Sequence, residues 1–213
     1  MADTAGASRS NGVYEWLRVA IVTGEMRPNE HLIEADLAQR LAVSRTPIRE
    51  SLQRLADGGL IVPRKRGWAV REYTSQEFIE NSEVRAGLEG YATRLATMRA
   101  TDEQIAEISA IHEHRLQIKV VDEKSRVDTN RNFHDAIIAA AQNKRLTDAI
   151  YRSGQFYFNV PLARLTTEEE MKAGNADHQR IIDAMIRRDG AVAESAMREH
   201  IMRTFAIFQR FNR

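Results

Sequence analysis

Leu41-Ala42-Val43-Ser44-Arg45-Thr46-Pro47-Ile48-Arg49-Glu50-Ser51-Leu52 reads as the turn and second helix of a helix-turn-helix. Ser44 or Thr46 can cap the helix N-terminus, and Pro47 suits a first-turn position whose N–H has no intrahelical partner. Ile48, Leu52 and Leu55 recur at i, i+4 and i+7 and form an inward stripe. Arg49 and Gln53 turn away from it, and Arg45 projects from the first turn. Guanidinium forks at the start of an exposed helix suit guanine edges or phosphate oxygens in a major groove. A solvated helix carrying two arginines is the plainer reading, so the flanking sequence decides.

Upstream, Met1 to Ser10 is small and polar and is expected to be disordered. Val13, Trp16, Leu17, Ala20 and Ile21 give a first helical stripe that Gly24 closes. Arg27-Pro28-Asn29 is a turn, with His31 expected in it and solvated, and Leu37, Ala38 and Leu41 mark a short second helix. Downstream, Asp57-Gly58-Gly59 ends the third helix. Leu60 to Pro63 and Trp68 to Val70 read as two strands joined by the basic tip Arg64-Lys65-Arg66-Gly67. Residues 11–73 are therefore expected to form a winged helix-turn-helix. Its wing would lie against phosphates or enter a minor groove, Gly67 permitting close backbone approach.

The charge distribution agrees. The 213-residue chain carries a net +1, yet Arg45 to Arg71 holds seven basic and two acidic residues, a local +5 that leaves −4 elsewhere. One basic module joined to a near-neutral one follows. There is no cysteine, which excludes disulfides and thiolate metal sites. No apolar run has the length of a membrane span, and the polar start lacks a secretory apolar core, so a cytoplasmic location is expected.

Residues 74–213 show three capping boxes: Thr74 with Glu77, Thr101 with Gln104, and Thr167 with Glu170. Six helices are expected, over 75–99, 102–121, 124–141, 143–159, 168–188 and 191–211, with Pro161 in a loop. This makes an all-α bundle, and the fold class is mainly α.

The histidines decide whether that bundle holds something. His112 and His114 lie two apart on one helix, about 200° around it, and cannot share a site; they read as structural or surface residues. Asn130 and His134 stack at i and i+4, a spacing suited to paired ligands. His178 lies 11 residues before Asp189 and His200 lies 10 after Gly190. In an antiparallel helical hairpin both then sit about 15–17 Å from the turn, at matched height, each in register with its apolar stripe. Three separately satisfied core histidines would explain any one of them. Three imidazoles buried together favour a His₃-plus-oxygen site for Zn²⁺, Ni²⁺ or a similar ion.

Two resemblances sharpen this reading. Thr23-Gly24-Glu25-Met26-Arg27-Pro28, Leu37-Ala38, Ser44 to Leu52, Leu55-Ala56, Gly59-Leu60 and Arg66-Gly67 closely resemble the DNA-binding domain of GntR-family bacterial transcription regulators, over roughly residues 10–72. The resemblance implies that Arg45 and Arg49 contact operator bases and phosphates, that Thr46 contacts the backbone and that Gly67 sits in the wing. Some members also use a basic residue on helix two, where this chain has Ala35. Glu83-Val84-Arg85 with Leu88-Glu89, Phe133-His134, Asp177-His178 with Ile182, Asp189-Gly190 and His200 resemble the FadR C-terminal ligand-binding (FCD) domain. Six expected helices are closer to its VanR branch than to the seven-helix branch. That resemblance implies a divalent metal on His134, His178 and His200, with a small carboxylate effector completing the coordination. Asn130 stands where the usual aspartate would be. It offers a carbonyl oxygen and no charge, so weaker metal affinity and a stronger pull on an anion are expected.

Arg85, near Val84 and Leu88, which read as inward, can clamp a carboxylate. The alternative is an intrahelical pair with Glu89. Gln155, Tyr157 and Asn159 are candidate pocket residues. The whole reads as a homodimeric DNA-binding transcription regulator, a repressor in the family's commoner arrangement, on a pseudo-palindromic operator. Ser44, Arg45, Thr46, Arg49, Arg66 and Gly67 would meet the DNA, and a small organic acid at the metal site would control affinity. Two competitors stand beside it. One is a metal-dependent hydrolase-like enzyme, disfavoured because neither His-Glu-x-x-His nor a Glu in register with the histidines is apparent. The other is a constitutive DNA-binding protein with an inert dimerisation bundle.

Overall fold

The computed structural model describes residues 3–22, 24–72, 74–119, 121–153 and 160–211. The chain divides into two compact units, Met1–Tyr73 and Thr74–Arg213.

In the first unit α1 (Asp3–Val22), α2 (Glu34–Arg40) and α3 (Arg45–Asp57) pack with β1 (His31–Leu32), β2 (Ile61–Pro63) and β3 (Trp68–Val70). The α1 backbone is helical from Asp3, where a disordered lead was expected. Once Val13, Leu17 and Ala20 are buried, each residue added at the N-terminal end fixes one backbone unit for one hydrogen bond, so helix propagates from that anchored part. α1 lies on α3, whose inward residues Ile48, Leu52 and Leu55 are fully buried. Ser51 is also buried, and its hydroxyl donates to the Pro47 carbonyl at 2.7 Å. The turn before α3 places Ala42 at φ 51°, held by Val43 N–H on the Ala38 carbonyl.

The three strands form one antiparallel sheet in the order β1-β3-β2, with Leu32 opposite Trp68 and Pro63 opposite Trp68 on the other edge. Pro63 therefore sits on an edge strand, where its missing N–H breaks no ladder. β1 was not expected. It is two residues long, too short for any alternation to show, and it turns His31 outward while burying Leu32.

The second unit is helical among its described residues: α4 (Ser75–Arg99), α5 (Asp102–Leu116), α6 (Glu123–Ala140), α7 (Lys144–Arg152), α8 (Val160–Leu165), α9 (Glu168–Ile186) and α10 (Gly190–Phe211). These are seven helical segments rather than six. The fourth expected helix stops at Arg152, and Pro161, expected in a loop, lies in the first turn of α8, where a residue without an N–H is tolerated. The helix count on which the branch comparison rested therefore changes. All three capping boxes form with both reciprocal bonds. α10 packs along α4 and α9, and α5 along α6 and α9, around a core that includes Ile108, Phe133, Ile137, Ile181 and Met197. Between α9 and α10 the left-handed residue is Arg188 at φ 57°, and Gly190 already belongs to α10. Val84, read as inward, is half exposed, whereas Arg85 is buried.

Candidate metal centre and DNA-facing surface

In the helical unit, α6, α9 and α10 deliver His134, His178 and His200 to one buried point. Their ligand atoms all lie within 4.8 Å of one another. His200 Nε2 is 3.3 Å from His134 Nε2 and 3.2 Å from His178 Nε2. Two imidazole nitrogens bound at 2.0–2.1 Å to one tetrahedral ion lie about 3.3 Å apart, so the spacing fits a shared divalent cation. The Phe133 ring stacks on His178 at 3.9 Å between centroids, 11° from parallel, and sets its ring plane.

Protonation fits as well. Burial first, then the neighbouring His200, push His178 well below the usual histidine range. Burial likewise brings His200 to about 4, with Asp177 opposing the shift. Both rings are therefore neutral at physiological pH and offer lone pairs. His178 Nδ1 and His200 Nδ1 are buried and make no hydrogen bond among the described residues. Imidazoles tautomerised to aim Nε2 lone pairs at a cation leave Nδ1–H groups in just this position.

Glu89 on α4 completes the arrangement. Its Oε2 lies 2.6 Å from His134 Nδ1, and its Oε1 accepts from Arg85 Nε at 2.5 Å. Burial raises the Glu89 carboxyl, but Arg85 and His134 outweigh it and hold the group at about 2. A carboxylate behind a ligating imidazole fixes its tautomer and raises its basicity. Asp177 stands similarly behind His200, with Oδ2 3.7 Å from Nδ1, and is held by Arg203 Nε at 2.7 Å.

These contacts bear on two expectations. Arg85 is held by Glu89, the intrahelical partner weighed against a carboxylate clamp. Acidic side chains do stand with the histidines: Glu89 and Asp177 sit behind His134 and His200. Glu89 is 45 residues from His134, and only the packing of α4 on α6 joins them. The Asp177-His178 dipeptide was visible, but adjacent helical residues point apart, and Asp177 serves His200 instead. His112 is buried beside His178, 5.7 Å between ring centroids, while His114 is exposed.

Asn130 is buried one turn before His134 on α6. With His200 it lines a cavity of about 30 Å³ whose wall also includes Arg115, Arg126 and Arg203. Gln155, Tyr157 and Asn159 lie outside the described residues.

In the first unit Ser44 is the N-cap of α3 with extended backbone, and its side chain makes no capping bond. Arg45 and Thr46 follow it in the first turn, both exposed. Arg49 is also exposed but folds onto Glu34 of α2, with contacts of 3.0, 3.2 and 3.3 Å. That hydrogen bond and Glu34's charge raise the Arg49 pKa further. Arg64, Lys65 and Arg66 are exposed at the β2–β3 turn. The fold itself requires glycine at position 67. Its φ is 81°, and a Cβ there would lie 2.7 Å from the Leu32 carbonyl oxygen, so the close approach is to β1.

The comparisons agree with this geometry. Residues 9–70 match the model of the bacterial regulatory proteins of the gntR family, and residues 80–203 match the FCD domain. The chain belongs to the GntR family, with an FCD domain. It is 27% identical over 206 residues to the HTH-type transcriptional repressor GlaR of Escherichia coli K12, covering 92% of this chain and 94% of that protein. It is 26% identical over 199 residues to a probable D-xylose utilization operon transcriptional repressor of Paenarthrobacter nicotinovorans, covering 89% and 84%. The fold matches E. coli McbR/YncC with a TM-score of 0.80 and 22% identity, over 96% of this chain and 99% of that one. The chain is thus a transcription regulator rather than an enzyme. Among the described residues no helix is long and apolar enough to cross a membrane.

Proposed function

We propose that this regulator is a cytoplasmic homodimeric repressor whose operator affinity is set by a small carboxylate bound with a divalent metal in the helical unit. The observation that carries the metal part is the convergence of three buried imidazoles on one point, backed by Glu89 and Asp177. When bound, the ion, Zn²⁺ or Ni²⁺ by donor type, supplies a positive charge and a coordination position for an anionic oxygen. The residues do the rest. Glu89 holds the His134 tautomer, Phe133 orients His178, and Asn130 offers a neutral oxygen from the cavity wall.

For DNA, Arg45 and Thr46 at the exposed start of α3 would reach base edges and phosphates, with Arg66 and its neighbours at the wing tip on the backbone. Arg49 joins them once phosphate or a base displaces Glu34. Ser44 and Gly67 shape the two elements rather than contact DNA through their side chains.

A dimer face is offered by α4. Val84, Tyr91 and Met98 are exposed at successive seven-residue steps. Antiparallel pairing about Tyr91 would set Val84 against Met98 and Glu83 against Arg99, a self-complementary seam.

The test crosses Zn²⁺ or Ni²⁺ with a panel of small carboxylates on chelator-stripped protein. Thermal midpoint and operator anisotropy are read together. Metal-dependent stabilisation by a carboxylate, with a change in operator affinity, is expected. Operator binding indifferent to every metal and carboxylate would leave a constitutive DNA-binding protein.

A further inference from the structure

Arg45 and Arg49 lie one turn apart on the exposed side of α3, and the fold treats them differently. Arg45 takes no ion pair among the described residues. Arg49 is gripped by Glu34, the first residue of α2, a helix anchored one turn on by the buried Leu37 and Ala38. The grip is on one edge. Arg49 Nε lies 3.2 and 3.3 Å from Glu34 Oε1 and Oε2, and Nη2 lies 3.0 Å from Oε2. A guanidinium has two such two-donor edges, Nε with Nη2 and Nη1 with Nη2. The carboxylate takes the first. Nη1 makes no hydrogen bond among the described residues, and the Arg49 side chain is 70% exposed.

The second edge is thus held in one direction on a side chain that would otherwise turn freely. Paired, Arg49 brings no net charge to the DNA, and the carboxylate beside it repels a phosphate. A guanine offers O6 and N7, two neutral acceptors at a spacing that matches a two-donor edge. An arginine already held loses less side-chain freedom in meeting them. Where DNA displaces Glu34, Arg49 joins at any sequence and the ion pair is given up. Where Glu34 keeps its grip, Arg49 joins only at a matching base.

We propose that Glu34 is a positioning residue that sets operator specificity: it holds the Nε–Nη2 edge of Arg49 and presents the Nη1 edge to a guanine in the major groove, so that Arg49 reads a base in preference to a phosphate. The assignment rests on reading α3 as the DNA-facing helix. It divides the labour of that helix, Arg45 supplying a free charge and Arg49 a neutralised, directed fork.

The experiment is fluorescence anisotropy of the full chain over a salt series with two labelled duplexes. One is a duplex that the wild-type protein enriches from a random-sequence pool, and the other is its scrambled version. Glu34→Gln keeps the side-chain shape and removes the charge. It is expected to lower the ratio of selected to scrambled affinity at least about threefold. The salt slope on the scrambled duplex should steepen by about 0.9 for each Arg49 that turns to a phosphate, a change that a merely structural role would not produce. Both effects should vanish when Glu34→Gln is made in an Arg49→Ala background. An unchanged or higher ratio, or effects that persist without Arg49, overturns the proposal. In those cases weakening of the selected duplex by Arg45→Ala or Arg49→Ala leaves the reading of α3 standing. If neither arginine variant moves the selected duplex, that reading falls and the proposal with it.

Discussion

The two units carry their charged residues in opposite ways. The DNA-facing unit keeps Arg45, Arg49 and the Arg64–Arg66 tip exposed over a small apolar core. The helical unit buries Arg85, Glu89, Arg115, Arg126, Asp177 and four histidines inside its bundle. Exposed charges cost little to carry and can be exchanged one at a time. Buried charges hold only as a network, because each partner removed leaves another desolvated. The first unit is therefore expected to tolerate change in stability and show it in binding, and the second to show it in folding first.

Glu89→Ala should press this contrast hardest. It strands Arg85 and His134 in the interior and should cost about 3–5 kcal/mol in urea unfolding. Acid should follow. The folded-state values of His200 and His178 lie below the ordinary histidine value, so the unfolded chain binds more protons in that range. Stability is therefore full above about pH 6.5 and falls as pH drops toward 4, the burial that disfavours protonated His200 alone costing metal-free protein roughly 3 kcal/mol there. Glu89, held at about 2, loses its contribution only below its unfolded value near 4.5, so the histidine loss comes first in a thermal midpoint series.

Gly67→Ala forces a side chain at φ 81° against the Leu32 carbonyl and should cost about 1–3 kcal/mol, read as loss of the β1–β3 pairing. Arg45→Ala should weaken specific operator binding by about 1–3 kcal/mol at fixed salt while leaving the melting midpoint unmoved. Unchanged operator affinity would remove Arg45 from the interface. Glu34→Gln should be mildest, below about 1 kcal/mol in stability, since its bridge to Arg49 is exposed. A larger loss would erase the difference between the two units.

The same contrast explains what could be read from the chain beforehand. α3, the wing tip, the three capping boxes and the inward faces of His134, His178 and His200 all follow from spacing within single helices or turns. Glu89 behind His134 and Gly67 against Leu32 do not. Each joins elements far apart in the chain, and no local period records such a meeting. The partner of Arg85 was open for a related reason: a buried guanidinium one turn from a glutamate looks the same in sequence whether it serves the glutamate or a ligand.

The order of the three histidines along the chain has a further consequence. They are separated by 44 and 22 residues and come from three helices, α6, α9 and α10. An ion held by all three closes two loops at once, a dissociable cross-link that withdraws chain entropy from every partly opened state. α10 supplies the last nitrogen and also packs along α4, so peeling it away breaks the link and uncovers the α4 face in one event. Metal occupancy then sets how often the C-terminal helix opens, and amide hydrogen exchange along α10 is where that would be seen.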